Sequence, residues 1–391
     1  MSGAEVISLG CRLNLAGSGR LRAMFAGERD LVVVNSCAVT TEAVRQTRQA
    51  IRRARRARPD ARLLVTGCAA EIEREALAAM PEVDGLVANA AKLDPRAWNV
   101  AESTNILESH HTRAFIAVQN GCDHACTFCV IPQGRGPSRS LPIAAVLREV
   151  ERDLAAGAPE VVLTGVDLTS WGHDLPGAPR LGALVEAILA EFPQLARLRL
   201  SSLDGVEIDP LLFELSAGEA RVMPHVHLSL QHGHDLILKR MKRRHLRHDA
   251  VELVERLKDR RPGIAIGADL IAGFPTESET AHAENLSIIN ALDVVHGHVF
   301  PYSVRPGTPA ARMPQVDSAT IRRRAADLRT AVAERRTRWL QRHLGVPQAV
   351  LAERDGTGYA PDYARVAVPP GTAPGAIVSV TPTRVEQGLL R

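Results

Sequence analysis

Six cysteines fall into two sets of three, with none left over. Cys122, Cys126 and Cys129 lie in Gly121-Cys-Asp-His-Ala-Cys-Thr-Phe-Cys, a C-x3-C-x2-C run in which one loop wraps three thiolates around a single centre. Soft thiolates select iron–sulfur clusters or zinc. A structural zinc normally takes four protein ligands, and no fourth cysteine is near. A zinc knuckle borrowing His124 is the alternative. Three thiolates on a 4Fe–4S cluster leave one iron open for a substrate or cofactor. Cys11, Cys37 and Cys68 are far apart in the chain, yet each ends a short apolar run. If those runs are parallel strands of one sheet, their carboxyl ends share an edge, where ligand sites form in open α/β folds. Three thiols on that edge make a second three-ligand site; buried core cysteines are the alternative reading.

The elements that must position these residues alternate strand and helix. Over the first hundred residues, Val6 to Leu9, Leu31 to Val34 and Leu63 to Val65 are expected as strands. Helices rich in Ala and Arg are expected between them, at Thr41 to Arg58 and Glu71 to Met80. Buried apolar runs separated by helices imply a parallel sheet. Lys92 to His111 loses periodicity and reads as a linker. From Arg113 the alternation resumes with six candidate strands, Phe115–Val118, Val161–Leu163, Leu198–Leu200, Val226–Leu230, Ile264–Ile271 and Val294–Phe300. Six βα units imply a partial or full barrel with its chemistry at the carboxyl ends of the strands. Ile321, Ala325, Leu328 and Val332 recur at helical spacing within Arg312 to Leu344, a long helix with a basic face. Beyond Pro347, short strands at Val350-Leu351, Val366-Ala367-Val368 and Ile377 to Val380 are divided by Gly and Pro turns. That pattern suits a small β-barrel of the oligonucleotide-binding type.

At this point a family resemblance becomes specific. Cys-Asp-His-Ala-Cys-Thr-Phe-Cys-Val-Ile-Pro, with Gly134-Arg135-Gly136 and Ser138-Arg139-Ser140 after it, resembles the methylthiotransferase branch of the radical S-adenosylmethionine superfamily. So do Leu9-Gly10-Cys11-Arg12-Leu13-Asn14, Asn35-Ser36-Cys37-Ala38-Val39-Thr40 and Val65-Thr66-Gly67-Cys68-Ala69. The resemblance covers nearly the whole chain. It implies an α/β protein with an open parallel N-terminal domain (1–105), a partial (βα)6 TIM-like radical core (110–344) and a C-terminal β-barrel like the TRAM RNA-binding domain (345–391). It also implies two 4Fe–4S clusters. The one on Cys122, Cys126 and Cys129 binds S-adenosylmethionine and cleaves it reductively to a 5′-deoxyadenosyl radical. The other, on Cys11, Cys37 and Cys68, holds or donates the sulfur, which a second S-adenosylmethionine methylates. The radical chemistry belongs to the cofactor and its positioning to the protein. By the same resemblance Phe128 packs against the adenine. Gly165 and Asp167, Ser229 and Gln231, and Gly273 and Glu277 mark three further cofactor-binding segments, for each of which a buried structural role is the alternative. Family members commonly carry a glutamate shortly after the first cysteine; Asn14 to Gly19 here holds no acid.

The substrate class follows from charge and resemblance together. Net charge is +4 and arginines cluster at 45, 48, 52 and 55, three or four apart on one helical face. Lys239, Arg240, Lys242, Arg243, Arg244 and Arg247 form a second basic run. Such groups would neutralise RNA phosphates, while solvated helix faces are the alternative. The Gly-Cys-Arg-Leu-Asn and Gly-Val-Asp-Leu-Thr-Ser-Trp segments most resemble the enzymes that convert N6-threonylcarbamoyladenosine at position 37 of tRNA to its 2-methylthio derivative. The branches acting on isopentenyladenosine-37 or on a ribosomal-protein aspartate are the runners-up. A non-catalytic iron–sulfur or zinc RNA-binding module is the rival from another class. The expected partners are tRNA, S-adenosylmethionine and an electron donor such as flavodoxin or ferredoxin. No signal segment or membrane span is expected, and the cytoplasm is the expected compartment. In that compartment cysteines are more often ligands than disulfides.

Overall fold

The computed structural model describes residues 3–100 and 112–391, and by contact they form two compact units. The first holds the described residues of 1–109 together with 119–139 and 303–311; the second holds those of 110–118, 140–302 and 312–391. This grouping cuts across the three expected segments. The loop bearing Cys122, Cys126 and Cys129 groups with the N-terminal sheet, and the C-terminal strands group with the barrel.

In the first unit, β1 (Glu5–Ser8), β2 (Leu31–Ser36), β3 (Arg62–Gly67) and β4 (Gly85–Leu86) form one parallel sheet in the order β1-β2-β3-β4. All six residues of β2 are buried. Its alternate residues therefore serve two apolar layers. Val32 and Val34 pack with Val44, Ile51 and Ala54 of α2 (Thr41–Ala57). Leu31 and Val33 pack with Leu21 and Phe25, at the end of α1 (Arg12–Met24), and with Trp98. Phe25 and Trp98 meet edge to face at 5.0 Å. The single helix expected at Glu71 to Met80 is two short ones, α3 (Cys68–Ile72) and α4 (Arg74–Ala78). A two-residue strand, β6 (Gln119–Asn120), precedes the second cysteine motif, and α5 (Ile131–Arg135) follows it.

The second unit carries the six strands read from the sequence. β5 (Ala114–Ala117), β8 (Glu160–Thr164) and β9 (Arg197–Leu200) form one parallel sheet, and β10 (His225–Gln231), β11 (Ala265–Ala272) and β12 (Val294–Pro301) another. A parallel bridge between Leu203 and Leu228 joins them into a partial barrel. The short β7 (Arg139–Ser140) opens the run of helices α6 (Ile143–Ala155), α7 (Leu181–Glu191), α8 (Pro210–Gly218), α9 (Asp235–Arg240), α10 (Arg247–Arg260) and α11 (Glu279–Ala291). Ile116, Leu163, Leu198, Leu228 and Leu270 point toward these helices and form the main core. The long helix α12 (Ser318–Gln341) adds Ala325, Leu328 and Val332 to that core.

Six terminal strands, β13 (Gln348–Ala352), β14 (Thr357–Tyr359), β15 (Arg365–Ala367), β16 (Ile377–Val380), β17 (Val385–Glu386) and β18 (Leu389–Leu390), make one largely antiparallel sheet. This small β domain is anchored on charged residues of the barrel. Arg197 donates to the carbonyls of Ala349 and Tyr359, and Arg199 to those of Ala360 and Pro361. Glu160, fully buried, pairs with Arg199 at 2.8 Å. Among the described residues, no helix is long and apolar enough to cross a membrane.

Candidate metal centres

Cys11, Cys37 and Cys68 each stand at the carboxyl end of a strand of the first sheet. Cys11 is exposed and caps α1; Cys37 and Cys68 are buried, with Cys68 opening α3. Two of the three are preceded by glycines with φ near +90°, Gly10 and Gly67. A Cβ on Gly67 would lie 2.4 Å from the Ser36 carbonyl oxygen, and one on Gly10 would lie 2.7 Å from the Cys37 sulfur. No other residue lets the three turns come this close.

Polar side chains fix the turns to one another. Asn14 donates to the carbonyls of Leu9 (2.8 Å) and Ser36 (2.9 Å). Asn35 donates to the Asn14 carbonyl and to Ser18 Oγ, both at 3.0 Å. Ser36 Oγ donates to the Thr66 carbonyl and accepts from the N–H groups of Ala69 and Ala70. Burial pushes the Cys37 thiol above its ordinary value; Cys11 and Cys68 push it the same way, while the Val39 N–H and Arg135 act against them. The three sulfurs thus share one electrostatic neighbourhood, as ligands of a single cluster must.

Two cations share that neighbourhood. Arg135, at the end of α5, donates to Asn14 Oδ1 at 2.8 Å and to Asn120 Oδ1 at 2.9 Å. Lys92 is 6% exposed, and its Nζ has no hydrogen-bond partner. Burial first, then Arg135, push its pKa down to about 8, against the pull of Cys68 and Cys11. An unpaired ammonium is rarely buried without an anion to meet it. The three thiols and the orphaned ammonium fit an anionic iron–sulfur cluster.

The second cysteine motif is tied to the same scaffold. Cys122, Cys126 and Cys129 are all half-buried. The Cys122 N–H donates to the Gly136 carbonyl, the Cys129 N–H to that of Cys126, and the Ala310 N–H to that of Thr127. Helix α5, which leaves this loop, packs on α3. A Cβ on Gly134 would sit 3.3 Å from the Cys68 Cβ, and Asn89 donates to the Gly134 carbonyl at 2.8 Å. Phe128 is half-buried within the loop.

In the second unit, Gly165, Asp167, Ser229, Gln231 and Gly273 all fall at or just beyond the carboxyl ends of β8, β10 and β11. Asp167 accepts a 2.6 Å bond from Ser170. Gly273 is packed so tightly that a Cβ would lie 2.5 Å from Ile321 of α12. Glu277 does not face an open site. It is 5% exposed, its Oε2 accepts from the Phe274 N–H, and His232, His282 and Arg324 surround its oxygens. Burial raises its pKa, but these partners hold it down to about 2. Its carboxylate holds the Gly273–Glu277 turn through the Phe274 N–H, a role that matches the structural alternative read for it.

Sequence reasoning missed three features. Asn14 and Asn35 brace the first sulfur triad, and Lys92 lies in a segment without periodicity. On the inner face of the barrel, Asp269 Oδ1 meets both His227 Nε2 and His298 Nδ1 at 3.1 Å. The basic helix face also reads differently in three dimensions. Arg45, Arg48, Arg52 and Arg55 pair with Glu42, Glu73, Glu82 and Asp84. Of the second basic run, Arg243 and Arg244 pair with Asp204, while Arg240 bonds Thr276 and Arg247 bonds two carbonyls.

Residues 116–286 match the Radical SAM superfamily, and residues 4–88 match Uncharacterized protein family UPF0004. The chain is 40% identical to threonylcarbamoyladenosine tRNA methylthiotransferase MtaB of Rickettsia prowazekii, over 99% of this chain and 96% of that protein. It is 32% identical to a tRNA-2-methylthio-N(6)-dimethylallyladenosine synthase of Cereibacter sphaeroides, over 89% of this chain and 86% of that one. Among solved structures, the radical S-adenosylmethionine methyltransferase TsrM of Kitasatospora setae shares the fold, with a TM-score of 0.56 at 16% identity over 80% of this chain and 74% of that one.

Proposed function

Because the chain belongs to the radical S-adenosylmethionine tRNA methylthiotransferases, we propose that it converts N6-threonylcarbamoyladenosine at position 37 of tRNA to the 2-methylthio derivative. The observation that carries this reading is the 40% identity to a threonylcarbamoyladenosine enzyme along essentially the full length of both chains. Other relatives of both kinds agree less, at 31–33%.

Two 4Fe–4S clusters, when bound, supply the reductive cleavage of S-adenosylmethionine and the sulfur to be inserted. Cys122, Cys126 and Cys129 hold the first, on a loop fixed by the Cys122-to-Gly136 and Ala310-to-Thr127 backbone bonds. Cys11, Cys37 and Cys68 hold the second. Phe128 lines the S-adenosylmethionine side of the loop. Gly165, Asp167, Ser229 and Gln231 lie at the strand ends where this barrel class does its chemistry. The C-terminal strands act as the RNA-binding module, tRNA is the substrate, and a flavodoxin or ferredoxin supplies electrons in the cytoplasm.

Mass spectrometry of tRNA nucleosides from a strain lacking the protein tests the reading. The expected result is loss of methylthiolated threonylcarbamoyladenosine with accumulation of its unthiolated precursor. Loss of methylthiolated isopentenyladenosine instead would move the chain to that branch. A purified, anaerobically loaded protein that forms no 5′-deoxyadenosine would make it a binding module.

A further inference from the structure

Lys92 is a deeply buried cation whose ammonium finds no hydrogen-bond partner in the protein around it. Its backbone is pinned, because the Trp98 indole N–H donates to the Lys92 carbonyl at 2.9 Å. Its side chain runs back beneath α1, where Gly17 leaves room for it. A Cβ on Gly17 would stand 3.4 Å from both Lys92 Cε and Nζ. The residue is 6% exposed, and its buried ammonium is, among the described residues, neither hydrogen-bonded nor paired with a carboxylate. Burial and Arg135 disfavour its charged form, and Cys68 and Cys11 favour it. A second cation, Arg135, also acts on Cys37 electrostatically, but it already donates to Asn14 and Asn120. Of the two, Lys92 alone keeps its donors uncommitted.

We propose that Lys92, backed by Arg135, is a positioning residue at the Cys11–Cys37–Cys68 site. There it is the counter-cation of the cluster and donates to an anionic sulfur ligand, a hydrosulfide or thiolate, on the iron that no cysteine holds. The proposal rests on the assignment of that triad to a cluster with an open iron. An ammonium has three donors, no acceptor and a compact charge, which suits a small sulfur anion. A charge-assisted bond in an enclosed, poorly solvated space is also stronger than one in water. A fixed positive charge beside the cluster favours its more negative, reduced state, so it raises the reduction potential.

The test uses the full chain carrying Cys122→Ala, Cys126→Ala and Cys129→Ala, loaded anaerobically so that only the first triad holds a cluster. Lys92→Met and Lys92→Arg are made in this background, with methanethiolate as the probe and no tRNA present. Electron paramagnetic resonance follows both the redox midpoint and thiolate binding. Lys92→Met is expected to load iron normally, to shift the midpoint to a more negative potential, and to bind methanethiolate on the order of tenfold more weakly. Lys92→Arg, which keeps the charge, is expected to stay near the parent in both readouts. Failure of Lys92→Met alone to take up iron would also support the counter-cation role. Unchanged potential and affinity in Lys92→Met, or equal damage in Lys92→Arg, would overturn the proposal. Because no RNA enters the measurement, failure of the tRNA assignment would leave this result standing.

Discussion

Arg135 donates to Asn14 Oδ1 across 2.8 Å, and that one bond joins the helix leaving the Cys122–Cys129 loop to the helix that starts at Cys11. Asn14 is completely buried, and its amide nitrogen holds the Leu9 and Ser36 carbonyls on the same site. One side chain thus braces two of the three turns that present Cys11, Cys37 and Cys68, and touches the element next to the other motif.

Asn14→Ala should therefore damage more than local packing. It leaves two buried carbonyls and one guanidinium without their partner, a loss of about 2–4 kcal/mol. The expected outcome is a lower unfolding midpoint in denaturant together with incomplete iron loading, about one cluster per chain in place of two. An unchanged midpoint with full loading would show that the brace is dispensable.

The two cysteine sets should separate by activity. Cys126→Ala removes a ligand from the motif assigned to S-adenosylmethionine and is expected to abolish 5′-deoxyadenosine formation on reduction. Cys37→Ala should retain most of that cleavage while stopping methylthiolation of tRNA. Quantifying both products in the same anaerobic reaction decides the matter, since equal loss of cleavage in the two variants would contradict separate roles.

Much of this arrangement is legible in the chain. The strands ending near Cys11, Cys37 and Cys68 stand out because Val32 to Val34 and Leu63 to Val65 form unbroken apolar runs, as strands buried on both faces do. Among the barrel strands Val161 to Leu163 shows for the same reason, whereas Arg197–Leu200 and His225–Gln231 show by alternating polar and apolar residues. Helix α1 does not, because Gly17 and Gly19 interrupt it and polar Asn14 and Ser18 occupy buried positions. Those residues are inside because they bind strand ends, which periodicity cannot reveal. Lys92 is hidden in the same way, in a segment whose only order comes from contacts such as Trp98 to the Lys92 carbonyl. The arginine face of α2 is the opposite case. Its spacing is visible, but the partners Glu73, Glu82 and Asp84 are distant in sequence and meet it only in the fold.

Gly67→Ala tests the geometry of the turn before Cys68. Backbone at φ +91° is strained for alanine, and the new Cβ would stand 2.4 Å from the Ser36 carbonyl oxygen, so the turn must open. The expected penalty is roughly 3 kcal/mol or more. Iron bound at this triad should fall with it, while the Cys122, Cys126 and Cys129 cluster loads as before. Normal loading of both sites would mean that the turn can relax without moving Cys68.

Glu277 sets the last expectation, for acid stability. Its pKa falls from 4.5 to about 2 on folding, because His232, His282 and Arg324 outweigh the effect of burial. A carboxylate depressed in the folded state stabilises the protein above its unfolded pKa and loses that contribution as pH falls through the folded value. The shift corresponds to roughly 3 kcal/mol, lost between about pH 4.5 and pH 2. His232 acts in the same direction at higher pH. Burial lowers its pKa below 6.5, so forcing a proton onto it below that value opposes folding. Glu277→Gln should be less stable at neutral pH and should lack the part of the decline below about pH 4.5, while keeping the part that begins near pH 6.5. Denaturant midpoints of the two proteins measured from pH 7 down to pH 3 separate the contributions. Parallel curves throughout that range would show that the Glu277 clamp does not control acid stability.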